Sequence, residues 1–208
     1  MNRNLHIRTI SVILSVFLLQ STLFAQTNQE AKTLLGKGQG LQKKDLGFFV
    51  APTLGLTQMD GSTATLFNLR GGVTVKDKFS AGAYFNTSLN QIKPKSETIP
   101  SVYMDYWTVG GFAEYTVLSK KMIHLTFPLY VGYGEVQMDN EAGEAGLGEA
   151  NFFQLEPSAL LELNLHKHVR LNMGAGYRFV GQMTYRNMNQ SDLSGFTGYV
   201  GFRIGLFR

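Results

Sequence analysis

Polarity in this chain alternates with a period of two, over stretches long enough to cross a bilayer. In one segment Val169, Leu171, Met173, Ala175, Tyr177 and Phe179 share one parity, and Arg170, Asn172, Gly174, Gly176 and Arg178 share the other. Successive side chains of a strand point to opposite faces, so this is a strand with one apolar and one polar face. The pattern recurs with Phe67, Leu69, Gly71, Val73 and Val75 against Asn68, Arg70, Gly72 and Thr74. It recurs again with Leu155, Pro157, Ala159, Leu161 and Leu163 against Gln154, Glu156, Ser158, Leu160 and Glu162. Trp107, Val109, Gly111, Ala113, Tyr115 and Val117 likewise oppose Thr108, Gly110, Phe112, Glu114 and Thr116.

Eight segments alternate in this way, at about 46–57, 64–75, 79–89, 104–117, 122–134, 152–164, 169–180 and 195–207. Their connections fall into two classes. Lys76–Lys78, Leu118–Lys121 and Leu165–His168 are three or four residues long; Asn90–Tyr103, Glu135–Asn151 and Gly181–Ser194 are fourteen to seventeen, and Gln58–Thr63 is six. Short turns at one end and long loops at the other are the plan of an outer-membrane barrel. The 23 glycines, 15 phenylalanines and 9 tyrosines suit an all-β chain.

Alternation alone does not distinguish a membrane barrel from a soluble one with its apolar face turned inward. The lysines do. All eleven, at 32, 37, 43, 44, 76, 78, 93, 95, 120, 121 and 167, lie outside the eight segments. A water-facing sheet would carry several, whereas a lysine on a lipid face near the bilayer midplane costs about 2–4 kcal/mol. The strand-interior charges are Arg70, Glu114, Glu156, Glu162, Arg170, Arg178 and Arg203, and all take the polar parity. That face is therefore the lumen, and the apolar face meets lipid.

The lumen of eight strands is narrow enough for side chains to fill. Four arginines and three glutamates inside it need partners, which predicts an ion-pair network and a plugged barrel in place of a general porin. The turn Leu165–His168 leaves two registers open: one sets Glu156 against Arg178, the other Glu162 against Arg170. Either clips the sixth and seventh strands with an ion pair.

The last stretch, Gly195–Arg208, reads GFTGYVGFRIGLFR, with Phe196, Gly198, Val200, Phe202, Ile204 and Leu206 on one face. This aromatic-rich end resembles the closing strand of Gram-negative outer-membrane β-barrels. The chain as a whole, over about 46–208, resembles the small OmpA/OmpX-type barrels and their porin-family relatives. The resemblance implies an all-β fold, an eight-stranded antiparallel up-and-down transmembrane β-barrel in the cell outer membrane. It also implies contact with outer-membrane lipid and lipopolysaccharide, and recognition of Gly195–Arg208 by the barrel-assembly machinery. It carries over no functional residue.

The first 25 residues read as a secretory signal: Arg3 and Arg8, an apolar run Ile10–Leu19, and a small residue at Ala25. That run is half the length of a membrane-spanning helix, which takes about 20 residues. Its removal takes the formal charge from +4 to +2, which is no nucleic-acid footprint. Residues 26–45 form a polar, glycine-bearing stretch, expected as a periplasmic tail. Cysteine is absent, so disulfides, thiol chemistry, cysteine metal sites and a lipoprotein anchor are not expected.

Several groups stand out as candidate sites, each beside a plainer reading. Glu135, Asp139, Glu141, Glu144 and Glu149 crowd one long loop without lysine, and clustered carboxylates can take calcium or bridge lipopolysaccharide phosphates. Their spacing does not fit an EF-hand, and a solvated Gly-Glu loop is the reading preferred. His124-Leu125-Thr126 resembles the His-x-Ser pair of barrel lipid A deacylases, but a catalytic hydroxyl also needs a carboxylate behind its base, and the sequence offers none. His166 and His168 belong to a turn. Lys76, Lys78, Lys120, Lys121 and Lys167, with Lys43 and Lys44, make the turn end basic, either for an acidic partner or for lipid headgroups. Tyr103, Tyr106, Trp107, Tyr133, Phe179 and Phe196 at the loop end, and Phe79, Tyr115 and Phe207 at the turn end, suit two aromatic girdles.

No enzyme, cofactor or resident metal is expected. Two functions remain: a structural or surface-interaction protein working through its extracellular loops and an extracellular partner, or an accessory factor for periplasmic or outer-membrane transport and secretion machinery. A lipid-modifying enzyme is the weakest alternative.

Overall fold

The computed structural model describes residues 45–99, 101–140 and 148–207. The stretch expected as a secretory signal, nearly all of the expected tail, Glu141, Glu144 and Arg208 lie outside the described residues.

Eight long strands close into one antiparallel barrel. They are β1 (Leu46–Met59), β2 (Ser62–Val75), β3 (Phe79–Ser88), β4 (Val102–Val117), β5 (Ile123–Asn140), β6 (Glu149–His166), β7 (Val169–Val180) and β10 (Gly195–Gly205). Each pairs with its sequence neighbour and β10 pairs with β1, with Thr53 opposite Gly201, so no edge is left. A small hairpin, β8 (Thr184–Tyr185) and β9 (Met188–Asn189), and one helical turn, α1 (Gln190–Leu193), occupy the last long loop. Asn189 and Asp192 cap that turn reciprocally.

The parity read from sequence sets the faces. Val109, Val131, Leu155, Val200 and Phe202, at mid-strand, are 37–49% exposed on the outside of the barrel. Arg70, Glu114, Thr116, Asn172 and Arg203, at alternate positions, are buried inside it. No lysine falls within any of these strands. A charge-free apolar belt around a closed sheet is what a bilayer requires of a spanning barrel.

Several boundaries differ from the sequence expectation. The first connection shrinks from six residues to the pair Asp60-Gly61, because both adopt positive φ (45° and 70°). That is the backbone of a type I′ turn, which an Asp-Gly pair reaches at little cost. Next, β5 and β6 each reach 18 residues, so Glu135–Asn140 and Glu149–Asn151 are strand where a loop was expected. A tilted strand crosses the bilayer in about 9–11 residues, and the surplus stands clear of the belt. Finally, the loop Gly181–Ser194 carries β8, β9 and α1.

Beyond the belt the polarity pattern changes face while parity is kept. On β4, Val102, Met104 and Tyr106 point inward and Asp105 outward; on β5, Val136 and Met138 are inward while Glu135, Gln137 and Asp139 are half-exposed outside. Asp105 is thus a strand charge on the outer face, an exception to the rule that strand charges are lumenal. The cause is the surroundings: the outer wall meets water here, so apolar side chains retreat inside.

Candidate functional site

The site suggested by the charges is the lumen, and it divides into a turn-end ion network, an aromatic middle and a loop-end cap. In the network, Arg70 Nη1 donates to Glu114 Oε2 at 2.9 Å and lies 2.9 Å from the Tyr130 hydroxyl. Arg203 Nη1 reaches Glu114 Oε1 at 2.5 Å and Glu162 Oε1 at 3.2 Å, while its Nη2 donates to Ser80 Oγ at 2.9 Å. Arg70 Nη2 is 3.6 Å from Glu162 Oε1, and His124 Nε2 is 3.0 Å from Glu162 Oε2. Two carboxylates are thereby shared among two arginines and a histidine. Arg170 stands at the margin, 3.7 Å from Glu162 and 3.9 Å from Asp77.

Aromatic rings wall this network. The Arg203 guanidinium carbon is 3.6 Å from the centroid of Phe49, and that of Arg170 is 3.6 Å from Phe207. Above them Phe49, Phe112, Tyr84 and Tyr130 make edge and tilted contacts with centroids 5.0–6.0 Å apart. Phe207 therefore packs inward, against the lumenal cluster, and is not part of the turn-end girdle. It keeps the parity of Arg203 after the strand ends.

Glu156 and Arg178 occupy the upper lumen. Leu155 opposes Phe179 and Ser158 opposes Gly176, which sets Glu156 level with Arg178. The two form no ion pair, contrary to what that register predicts. Glu156 instead accepts from the Tyr199 hydroxyl and from Gln154 Nε2 at 3.2 Å. Arg178 turns to the loop end, where Nε donates to the Leu193 carbonyl at 2.7 Å and Nη2 to Thr57 Oγ1 at 3.2 Å. The β6–β7 ion pair within reach is Glu162 with Arg170, a diagonal pair, since Glu162 directly opposes Asn172. An arginine is long enough to span that offset.

The cap was not anticipated. Met59, Leu66, Ile92, Met104, Val136, Met138, Phe152, Met183, Met188 and Leu193 are all buried in one apolar cluster across the loop-end mouth. Tyr106, expected in the outer girdle, belongs to it, stacks on Phe152 at 5.8 Å and donates its hydroxyl to Gln154 Oε1 at 2.5 Å. Three loops lock over it. Asp60 Oδ2 accepts from Ser96 N and Ser96 Oγ, both at 2.7 Å, Arg186 Nε pairs with Glu97 Oε2 at 2.7 Å, and Asp60 N donates to the Asp192 carbonyl at 2.6 Å. The sequence signal was there: Val102, Met104 and Tyr106 are apolar at the same parity as Glu114.

The remaining candidates separate. Glu135, Asp139 and Glu149 sit on β5 and β6, not in a loop; Glu135 Oε1 accepts from Trp107 Nε1 at 3.3 Å, and Asp139 Oδ1 from Gln137 Nε2 at 3.3 Å. Among the described residues, no three His, Asp or Glu are grouped so as to hold a metal ion. His124 does have a carboxylate behind it, Glu162, which the sequence reading missed because the partner lies on the neighbouring strand. Both groups are buried, and the Thr126 hydroxyl donates to the Leu160 carbonyl at 3.4 Å. His168 Nδ1 lies 3.0 Å from the Gly205 carbonyl, fixing the turn to the end of β10. Trp107, Tyr133, Phe179, Phe196, Phe79 and Tyr115 face outward or lie at the surface, with Trp107–Tyr133 and Phe79–Tyr115 ring pairs at 6.4 and 4.9 Å.

No protein-family model and no curated protein matches the sequence. Solved structures do match. Neisserial surface protein A aligns over 77% of this chain and 96% of its own, with 11% identity and a TM-score of 0.59. OprG from Pseudomonas aeruginosa aligns over 79% and 97%, with 9% identity and a TM-score of 0.50. A major outer membrane protein from Thermus thermophilus aligns over 77% and 99%, with 10% identity and a TM-score of 0.50. At these identities the likeness is one of fold: the chain has the fold of the small outer-membrane β-barrels.

Proposed function

We propose that this chain is a sealed outer-membrane barrel that conducts nothing and acts at the cell surface, as a rigid mount for an ordered extracellular platform. The observation that supports it is the double closure of the lumen. The network around Glu114 and Glu162 fills one half and the methionine-rich cluster closes the other. Above the belt, Asp105, Glu135, Gln137, Asp139 and Glu149 make an outward polar collar, and hydrogen-bonded loops replace free ones. Lipopolysaccharide surrounds that collar, and an extracellular protein or glycan meets the loops over it. No catalytic step is assigned, because the His124–Glu162 pair is buried and the Thr126 hydroxyl is committed to a backbone carbonyl.

Two measurements test this. Refolded protein in planar bilayers is expected to give no conductance steps; stable openings would remove the sealed-barrel reading. A photo-crosslinker at Gln137 is expected to capture a surface partner in intact cells. A crosslinker at Lys78 that captures a partner while Gln137 does not would favour the second reading, an accessory factor working from the basic turn end formed by Lys76, Lys78, Lys120, Lys121 and Lys167.

A further inference from the structure

We propose that the turn-end mouth of the barrel is a binding site for a phosphoryl group. A cavity of about 410 Å³ opens there, lined by Lys120, His166, Lys167, Arg170 and Phe207, with Asp77 as its acid. Three of those side chains are cations, brought together from two turns and the start of β7.

Arg170 carries the argument. It is 5% exposed, yet its Nε has no hydrogen-bond partner. Its carboxylate neighbours, Glu162 at 3.7 Å and Asp77 at 3.9 Å, lie beyond hydrogen-bond length. Its other contact, at 3.5 Å, is His124 Nε2, a nitrogen already 3.0 Å from Glu162. Arg70 and Arg203 also have an unpartnered Nε, but each places another nitrogen within 2.9 Å of Glu114, whereas Arg170 comes that close to no carboxylate. A buried guanidinium N–H left without a partner is costly, and an acceptor is worth most where such a donor already waits. Phe207, with its centroid 3.6 Å from the guanidinium carbon, holds that plane at the cavity wall.

The geometry suits a tetrahedral oxyanion. A planar guanidinium offers two parallel donors to a phosphate edge, and lysines add point charge without fixed direction. The site also lies where phosphodiesters are dense. Leu118, Met122 and Leu165 around the same end are 54–66% exposed, which suits apolar anchors set into the acyl boundary with the mouth at headgroup level. The same chemistry is available from an anionic lipid headgroup or from a soluble phosphate.

Native mass spectrometry of the detergent-solubilised barrel tests this, with phosphatidylglycerol as probe and diacylglycerol as the phosphate-free control. The wild-type protein is expected to retain phosphatidylglycerol and not diacylglycerol. Lys120→Gln/Lys167→Gln should lower retention at least fivefold, and Lys76→Gln/Lys78→Gln, an equal loss of charge outside the cavity, should leave it unchanged. Heat-modifiable gel migration checks that each variant is folded. Displacement by millimolar inorganic phosphate would assign the site to phosphoryl groups in general, and persistence of the adduct would assign it to the headgroup. Equal retention by the folded cavity variant, or equal loss in both lysine pairs, would overturn the proposal.

Discussion

Arg203 on β10 and Glu114 on β4 meet at 2.5 Å, although their strands stand four steps apart around an eight-stranded sheet. Arg70 on β2 and Glu162 on β6, also four steps apart, approach to 3.6 Å. The lumen is therefore braced across its diameter by two ion pairs, linked to each other through Arg70–Glu114 at 2.9 Å and Arg203–Glu162 at 3.2 Å. Removing one member of a buried pair leaves uncompensated charge and costs about 3–5 kcal/mol. Glu114→Ala is expected to lose about that much in urea unfolding from vesicles, followed through the single tryptophan, Trp107. Adding Arg203→Met should recover part of the loss, because one stranded cation disappears; a double variant as unstable as the sum of the singles would argue against coupling.

The lipid belt ends just above Trp107 and Tyr133, since Asp105 two residues further along faces outward. Val131, at mid-belt on β5, is 39% exposed on the same outer wall. Val131→Lys should therefore cost about 2–4 kcal/mol in the same measurement, whereas a lysine outside the belt costs about 0–1 kcal/mol. Asp105→Lys is expected to fall in the second class. Similar costs at both positions would place the membrane boundary elsewhere.

Parity is a local property, so the face of Arg70 or Glu162 follows from its own strand, and the barrel follows from eight such strands with alternating short and long connections. The partners of those residues do not follow. The Arg203–Glu114 contact depends on how far the sheet is sheared when it closes, and no short window of sequence holds that information. Arg178 shows the limit from the other side: one of the two registers left open does set it level with Glu156, but its hydrogen bonds go to Leu193, placed by a loop, and to Thr57 on β1. The cap was missed for a different reason. Met104 and Val136 are apolar at lumenal positions, and a single face assignment for a whole strand hides such a reversal. Asp105, a charge of the wrong parity, was its visible trace.

Leu193 is fully buried in the cap and its carbonyl accepts from Arg178. Large-to-small substitution of such a side chain costs about 2–5 kcal/mol, and here the loss falls on the loops, not the barrel. Leu193→Ala should expose the loop lysines Lys93 and Lys95 and Arg186 to trypsin while the barrel stays resistant. Arg186→Ala, which removes a partly exposed pair with Glu97, is expected to change cleavage far less, in keeping with about 0–1 kcal/mol for such pairs. Equal protection in both variants would mean that the loops hold without the apolar cluster.

The methionines offer a readout of the cap that needs no substitution. Met59, Met104, Met138, Met183 and Met188 are at most 5% exposed within it, whereas Met122 beside a turn is 66% exposed. Thioether oxidation follows access, and the sulfoxide is too polar for an apolar core. Dilute peroxide is therefore expected to oxidise Met122 first, with the five cap methionines lagging together, as followed by peptide mass spectrometry. Once the cap residues react they should do so as a group, since one sulfoxide loosens the packing of the rest, and trypsin cleavage at Lys93 and Lys95 should appear with the same time course. Oxidation of Met104 or Met183 as fast as Met122 would mean that the loop-end mouth stands open in solution, and the sealed lumen would go with it.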